Sequence, residues 1–452
     1  MSVCRQAIKK NGELLFNRML ERKVVSLRQL SNGRSEAVKF ERWLGNRHVS
    51  IARLIETEQS RIKPIVKDRH VLAIQDTTEC NYRKHAGRVH GLGTVGNGKD
   101  VGFFMHPMLV LDANTSACLG SAAIHIENRL EGASENYTKL PIEEKESYRW
   151  IKTAETSKRV LSQARCITFV GDRENDIYEF IDRIPDEKTH IIVRAWHDRR
   201  LDQEGEKIFS YLAKEKEAGQ QIITISPDIR NNREKREAIL SIKFVKVTIR
   251  RPRPCSDKQA SKTITLHSVE AKEINCPEGQ EAIHWCLLTT HEVKTYDEAL
   301  QIIFWYQKRW NVEQVFRLMK KQGLDIESSQ VESAEGLMKL AILALSAAIQ
   351  IMQLVLAREG MTEQKTCDVF NEEEQVVLIE VLKTVEGKTV KQKNPYPKEN
   401  LAWATWIIAR LGGWQGYINS EGPPGPVTIG RGLTRFEGIY AGWNLSKNVW
   451  AL

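Results

Sequence analysis

A chain of 452 residues, of which 41% are hydrophobic and 28% charged, is long enough for two to four domains with cores of their own. Its net charge of +9 favours a polyanionic partner, and no apolar run approaches the roughly 20 residues of a membrane span. The N-terminus has no apolar signal core, and the eight cysteines show neither a CxxC pair nor zinc-ligand spacing. These features predict a cytoplasmic protein with reduced, mostly buried thiols and no membrane partner.

The positive charge is concentrated at the start of the chain. Residues 1–70 hold 16 Lys and Arg against 7 Asp and Glu, while the rest of the chain is balanced overall. Helical periodicity over 5–62 predicts a small helical domain within residues 1–69. A basic helical module is typical of DNA binding, although a solvated basic surface without a specific partner has the same composition.

After residue 69 the pattern changes to short apolar runs of strand length alternating with helices, which predicts a mixed α/β core over 70–195. Two runs each deliver an aspartate at their C-terminal end, Asp76 after 71–74 and Asp172 after 167–170. This end of the strands is where open α/β sheets bind ligands. The other elements predicted before residue 196 are strands over 103–111, 118–126 and 191–194 and helices over 143–163 and 175–183.

The segment 196–285 breaks this alternation and predicts a β-rich insertion subdomain. The core then resumes over 286–360, and 361–452 predicts a C-terminal helical region that loses regularity through residues 422–426. The elements predicted here are strands over 220–226, 237–250, 262–272 and 283–290 and helices over 306–320 and 336–357.

The helix predicted over 306–320 carries the most specific pattern. At 3.6 residues per turn, four residues suited to metal or phosphate binding fall within roughly 60° of one another, namely Tyr306, Arg309, Glu313 and Lys320. An apolar stripe faces the opposite way, formed by Val312, Val315, Leu318 and Met319. The alternative is a solvated helix with i,i+4 salt bridges, since Arg309 and Arg317 both flank Glu313 at that spacing.

Asp76, Asp172 and Glu313 together predict a metal centre. Three carboxylates that converge at strand ends supply the oxygen ligands that Mg²⁺ or Mn²⁺ prefers. Two such ions support in-line phosphoryl transfer, the chemistry of nucleases and strand transferases. Each aspartate alone is weak support, because Asp at a strand end is more often a turn or cap residue than a ligand.

Three segments resemble the active-site blocks of the DDE transposases of the insertion-sequence-four family. They are IQDTT around Asp76, FVGDREND around Asp172, and YQKRWNVEQVFRLMK over 306–320. The last contains the family's Tyr-(2)-Arg-(3)-Glu-(6)-Lys signature. The resemblance runs from about residue 40 to the end of the chain and includes Arg194 and Trp285.

The resemblance implies an RNase H-like catalytic core with a β-rich insertion, flanked by an N-terminal DNA-binding domain and a C-terminal dimerisation region, both helical. It implies a DNA transposase that uses two Mg²⁺ ions per active site, with Mn²⁺ as a substitute. It further implies a homodimer, acting in the bacterial cytoplasm and nucleoid on double-stranded DNA at transposon ends and on target DNA. Such enzymes work by cut and paste, with nicking, hairpin formation and opening, and strand transfer.

By matched position, the resemblance makes Asp76, Asp172 and Glu313 the catalytic metal ligands. It implies that DNA is contacted by Tyr306, Arg309, Lys320, Trp285 and Arg194, with Arg83 and Arg173 as weaker candidates. Trp285 matches the aromatic that stacks on a flipped base, whereas from its local sequence alone it is a core aromatic.

Two other functions stay open at this stage. Residues 1–39 do not reproduce the family's opening DNA-reading block, so one alternative is a transposase-derived DNA-binding inhibitor that does not cut. The other is a metal-dependent nuclease without strand transfer, which the three carboxylates also permit.

Overall fold

The structure, a computed structural model, describes residues 2–96, 98–130, 140–202, 205–225, 235–255, 257–321, 323–362 and 364–450. Two compact units make up the chain, and each is assembled from separate segments. The first unit comprises Met1–Lys67, Thr77–Gly132 and Asn311–Leu452, and the second unit comprises Asp68–Asp76 and Ala133–Trp310.

The strands of the described residues are, in chain order, β1 (His70–Gln75), β2 (Thr78–Asn81), β3 (Gly93–Val95), β4 (Asp100–Asp112), β5 (Cys118–Glu127), β6 (Cys166–Gly171), β7 (Thr189–Arg194), β8 (Gly219–Ile225), β9 (Arg236–Arg250), β10 (Thr263–Glu273) and β11 (His284–Thr289). The helices are α1 (Ser2–Arg22), α2 (Leu27–Leu30), α3 (Arg34–Leu44), α4 (Ile51–Ile62), α5 (Tyr148–Val160), α6 (Tyr178–Arg183), α7 (Ile208–Lys214), α8 (Tyr296–Gln307), α9 (Trp310–Lys320), α10 (Ala334–Ala357), α11 (Glu372–Val385), α12 (Leu401–Leu411), α13 (Ile418–Glu421) and α14 (Pro426–Trp450). All the strands except the short β2 and β3 match runs predicted from the sequence.

The second unit is built on a sheet with the strand order β1-β6-β7-β11-β10-β9-β8. β1, β6 and β7 are parallel, and the remaining neighbours pair antiparallel. β1 and β6 are buried from their second residue to their last, as expected for apolar runs inside a parallel sheet. The mixed α/β class predicted from the sequence is confirmed.

The strands of the predicted β-rich insertion belong to this same sheet. β11 pairs with β7, with Leu287 beside Arg194, and β10, β9 and β8 follow outward in that order. The insertion therefore extends the parallel strands through β11 and does not form a separate sheet.

In the first unit, β4 pairs antiparallel with β2, β3 and β5, and α10 is the central helix. α10 packs on α4, β5, α12 and α14. By length and composition it could cross a membrane, so the expectation that no apolar run approaches this length is wrong. However, 89% of its most apolar stretch is buried inside the protein. This burial is typical of the core helix of a globular unit.

The C-terminal region contains the helices α11 to α14, and regular structure resumes at the last residue of the segment 422–426. α14 begins at Pro426, a residue well suited to the first helical position because the missing N–H would have no intrahelical partner there. α14 crosses α12 closely, since a Cβ added at Gly432 would lie 1.7 Å from the carbonyl oxygen of Ile408. Seven cysteines are free among the described residues, but only Cys80, Cys118 and Cys286 are buried, fewer than expected.

Lys339 of α10 fixes the C-terminal end of α3, and with it the basic helices α1–α4, to the core helix of the first unit. Its side chain is 1% exposed, and Nζ donates to the carbonyl oxygens of Leu44 at 2.8 Å and Asn46 at 3.4 Å. Nζ also pairs with Glu335 at 2.8 Å. Because the last carbonyls of a helix lack intrahelical partners, the ammonium satisfies acceptors that α3 cannot satisfy itself.

We predict that Lys339→Ala lowers the free energy of unfolding by about 2–4 kcal/mol, because buried carbonyls lose their donor and a cavity remains. Denaturant titration followed by circular dichroism measures this change. Lys388→Ala, which alters an exposed lysine of the same unit, is the control and is expected to change stability by less than about 0.5 kcal/mol. Equal stability of the Lys339→Ala variant and the wild type would contradict the anchoring role.

Three histidines meet near the N-terminal ends of the parallel strands in the second unit. Thr168 Oγ1 lies 2.8 Å from His70 Nε2 and 2.8 Å from His291 Nε2. His291 stacks on His190, with ring centroids 4.0 Å apart. Burial, together with His190 and His70, lowers the pKa of His291 from 6.5 to about 3. The folded protein therefore keeps His291 neutral at pH values where the unfolded chain protonates it.

Stability is consequently expected to fall as the pH drops below 6.5, over the window that ends near pH 3, because only the unfolded chain gains this proton. His291→Gln removes the contribution. Between pH 6.5 and pH 5, the wild type should lose up to about 2 kcal/mol more than the variant. Denaturant midpoints of both proteins at the two pH values measure the difference, and identical losses would refute the assignment.

Candidate active site

The register of the parallel strands brings three predicted site residues to one edge of the sheet. β1 and β6 pair with Ile74 beside Val170, so Asp76 and Asp172 each follow two residues later, directly after their strands. The register of β6 with β7 aligns Arg194, the last residue of β7, with Asp172. Neighbouring strands lie about 4.8 Å apart. Two carboxylate residues and a guanidinium residue therefore occupy adjacent positions at the C-terminal edge.

Arg309 supplies a counter-charge to Asp76. Its Nη1 lies 3.4 Å from Oδ2 of Asp76, and the two side chains are only 18% and 17% exposed. Carboxylates on neighbouring strand ends repel each other, and a cation at this distance offsets part of that repulsion. Arg309 thus belongs to the sheet edge that carries Asp76 and Asp172, which is called the aspartate edge below.

The helix predicted over 306–320 is in fact two helices, α8 and α9. The N–H groups of Lys308 and Arg309 donate to carbonyls three residues back, at 3.1 and 3.0 Å, the tighter pattern found at the ends of many α-helices. The prediction of one continuous helix is therefore wrong, since Tyr306 lies in α8, Arg309 in the turn and Glu313 in α9. The apolar stripe is confirmed, because its four members are buried: Val312, Val315, Leu318 and Met319.

Tyr306 links the cations of this edge to an aromatic neighbour. Its side chain is buried, and its ring meets Trp285 edge-on with centroids 5.7 Å apart. Burial raises the pKa of the Tyr306 phenol, Arg309 and Arg194 oppose the rise, and Asp172 adds to it. Tyr306 therefore stays protonated near neutral pH and can donate a hydrogen bond from the centre of this group.

Trp285 and Arg194 lie where β11 meets β7. The Nη2 of Arg194 donates to the carbonyl oxygen of His284 at 2.8 Å, which holds the guanidinium beside the start of β11. Trp285 is partly exposed, whereas Leu287 and Leu288 of the same strand are fully buried. The ring of Trp285 is thus accessible at this edge.

Asp172 also caps the turn that follows it. Its Oδ1 accepts the N–H of Glu174 at 2.9 Å, and residues 173–175 form a 3₁₀ turn. A carboxylate offers about four lone-pair sites. The cap is therefore compatible with a second role as a metal ligand.

Three of the predicted site residues belong to the first unit: Glu313, Lys320 and Arg83. Glu313 lies in the first turn of α9, where the helix dipole favours a negative side chain. Lys320 pairs with Glu327 at 3.3 Å, and Glu327 accepts the N–H of Asn81 at 3.1 Å, so Lys320 lies beside β2. Arg83 is exposed at the start of a 3₁₀ turn after β2.

The donor atoms at the aspartate edge fit a hard divalent cation. Asp76 and Asp172 offer carboxylate oxygens on neighbouring strands, the ligand type that Mg²⁺ and Mn²⁺ prefer. Among the residues that the structure describes, no cluster of three or more His, Cys, Asp or Glu forms a metal site. Glu313 as the third ligand therefore stays a prediction.

Residues 149–349 match the family model of the transposase DDE domain. The matched range is 201 of the 452 residues and contains Asp172, Arg194, Trp285 and the segment 306–320. The matched range begins after Asp76, so the match does not include this residue. Asp76 is assigned to the candidate site by the register of β1 with β6. The match supports a relation to the DDE transposases, which act on DNA and generally use divalent metal ions.

The structure adds residues that the sequence patterns did not single out. Asp176 and Arg199 form a buried ion pair at 2.5 Å, and Trp196 is an exposed aromatic close to Arg194 in the chain. Asp176 lies within the FVGDREND segment, so its nearness to Asp172 was an available signal. Glu327 has no local signal, because its contact with β2 joins distant parts of the chain.

In metal-free buffer, we expect Asp172→Asn to be as stable as the wild type or more stable by up to about 1 kcal/mol. Asparagine keeps the cap, and one of two neighbouring like charges is removed. Mn²⁺ should raise the Tm of the wild type but not of this variant, because only a bound native state is stabilised. Thermal unfolding in EDTA and in Mn²⁺ measures both effects.

Glu174→Gln is the matched control for this measurement. It removes an exposed carboxylate two residues from Asp172 and should keep the Mn²⁺ response of the wild type. An undiminished Mn²⁺ response in the Asp172→Asn variant would rule out Asp172 as a ligand.

Proposed function

We propose that this protein is a DDE transposase of the insertion-sequence-four family. It would act as a homodimer on the ends of a transposable element in a bacterial cell. Its steps would be nicking, hairpin formation and opening, and joining of the freed 3′-end to target DNA. The family match over residues 149–349 supports DNA recombination by this class of enzyme. The architecture would be an RNase H-like core between a DNA-binding helical module and a dimerisation region.

The observation that carries the proposal is the alignment of Asp76 with Asp172 at the C-terminal edge of parallel strands. With Glu313, these aspartates would hold two divalent ions, whose chemistry when bound is Lewis-acid activation of a water or 3′-hydroxyl in an in-line displacement. The match covers only two of these three carboxylates. Strand register independently favours the third, Asp76, which lies outside the matched range.

The cations and the phenol at this edge suit a strongly bent DNA strand. Arg194 and Arg309 present planar guanidinium groups that bind phosphate oxygens in pairs. Tyr306, which stays protonated, would donate to a phosphate oxygen, and Lys320 would bind a phosphate as a point charge. These four residues would hold the phosphates on either side of the scissile bond.

Trp285 would stack on a base turned out of the duplex. Its ring is partly exposed and braced edge-on by Tyr306, and base stacking on such a platform contributes about 1–3 kcal/mol. Arg83 and Arg173 are exposed and would make weaker DNA contacts. The excess charge of residues 1–70 would add salt-dependent attraction to DNA.

The wild-type protein with Mg²⁺ is expected to release hairpin-ended fragments from DNA that carries the ends of its own element. Asp76→Ala should reduce this release by more than about 100-fold, because loss of a direct ligand exceeds the 10–100-fold cost of outer-shell changes. Denaturing gel electrophoresis of end-labelled DNA measures the products. Asp202→Ala, which alters an exposed aspartate on the same unit, is the control and should keep full activity.

Other results of the same assay would favour one of the two alternative functions. Binding of the DNA ends without cleavage, by wild type and variant alike, would favour a non-cutting inhibitor of transposase descent. Cleavage without hairpins or joined products would favour a metal-dependent nuclease. Cleavage that survives in the Asp76→Ala variant would refute the assigned site.

A further inference from the structure

Trp196 is an exposed tryptophan at the sheet edge that carries the candidate active site. Its side chain is 60% exposed, and it lies two residues after Arg194, just beyond the end of β7. Tryptophan is a large apolar side chain that is usually buried for most of its area, or covered by a partner. An exposed indole at this position therefore points to a ligand.

The backbone that carries Trp196 is held in place by Asp176. Its Oδ2 accepts the N–H groups of Trp196 and His197, each at 2.8 Å. Its Oδ1 accepts two bonds from the guanidinium of Arg199, and both side chains of this ion pair are buried. Asp176 is four residues after Asp172, so one short segment supplies both a candidate ligand and the support for Trp196. A preorganised exposed ring loses little entropy when it binds.

The surroundings of Trp196 favour a nucleic acid over an apolar protein partner. The guanidinium of Arg173 lies 5.3 Å from the ring centroid, a cation–π arrangement. Ala195 donates to the carbonyl oxygen of Cys286 at 2.8 Å, which continues the register of β7 and β11 past the strand end. If the register continues by one more residue, Trp196 falls opposite Trp285. Two accessible indoles with arginines beside them combine base stacking with phosphate attraction.

We propose that Trp196 is a second stacking platform, which binds an unpaired nucleobase of the DNA strand held at the aspartate edge. This inference rests on the proposed function, because it requires DNA at that edge. Trp285 and Trp196 would receive different bases of one distorted strand, and Arg173 would contact the adjoining phosphate. Asp176 is then a positioning residue, which acts through the backbone of Trp196.

The test compares the affinity of the full chain for two probes at one salt concentration, a fluorescein-labelled single-stranded oligonucleotide and the corresponding duplex. Trp196→Ala should weaken binding of the single strand by about 5- to 100-fold, the range typical of one lost base–aromatic stack. Duplex affinity should stay within about twofold, and the salt dependence should not change, because no phosphate contact is removed. Trp196→Phe should retain most of the single-strand affinity.

Three further variants extend the comparison. Ile222→Ala removes a similarly exposed hydrophobic side chain from β8 of the same unit and should leave both affinities unchanged. Arg173→Ala should weaken both probes and reduce the salt slope by about one phosphate contact. Asp176→Asn should reproduce the selective loss of single-strand affinity, a readout that a loss of stability alone would not move.

Equal weakening of both probes by Trp196→Ala, or no weakening, would overturn the platform. If the wild type meanwhile cuts the ends of its element, the proposed function stands and only this inference fails. A wild-type chain that binds neither probe would overturn both.

Discussion

The candidate active site depends on the register between three parallel strands. Side chains alternate between the two faces of a sheet, so a shift of one residue in β1 or β6 would move its aspartate to the other face. The register is held by near-continuous apolar burial along both strands, with Ile74 beside Val170. Hydrophobic burial several residues away thus determines where Asp76 and Asp172 stand.

A second constraint is electrostatic. Asp76 and Asp172 bring like charges to neighbouring positions, and such an arrangement persists only where other interactions offset it. Arg309 lies against Asp76 at 3.4 Å, Arg194 aligns with Asp172, and the cap at Glu174 adds a hydrogen bond to Asp172. These neighbours offset negative charge at this edge, and the two arginines are of a type that can also bind phosphate.

The sequence predicts features that depend on local patterns, and it misses features that depend on contacts between residues far apart in the chain. The aspartates at strand ends were recognisable because β1 and β6 are short apolar runs, a local signal. The division of 306–320 into α8 and α9 was not recognisable, because every residue in the turn is compatible with a helix. The break is seen only in the hydrogen bonds of Lys308 and Arg309. The continuation of the core sheet into the insertion strands β10, β9 and β8 also escaped prediction, since strand order depends on pairing between distant segments.

Residues that act through a long-range partner were missed for the same reason. In the sequence, Trp196 is one aromatic residue in a charged loop. Its backbone is held by a hydrogen bond to Asp176, twenty positions earlier in the chain. In the sequence, Lys339 is one charged residue in an apolar helix, yet its ammonium group donates to the end of α3, almost three hundred residues away. In both cases a buried polar group fixes a distant segment, and no local pattern records the pairing.

The ion pair between Arg309 and Asp76 has a consequence for how ligands enter the site. If Asp76 is a metal ligand, a cation that binds its Oδ2 would compete with the guanidinium of Arg309 for that oxygen. The free energy of that exchange would be the difference between two attractions, so it would be smaller than the attraction of the cation for the carboxylate alone. On the proposed function, a phosphate that draws Arg309 away would raise the affinity of Asp76 for a cation, and by thermodynamic reciprocity the cation would raise the affinity for the phosphate by the same factor. The proposed function would therefore couple the binding of positive and negative ligands at the aspartate edge.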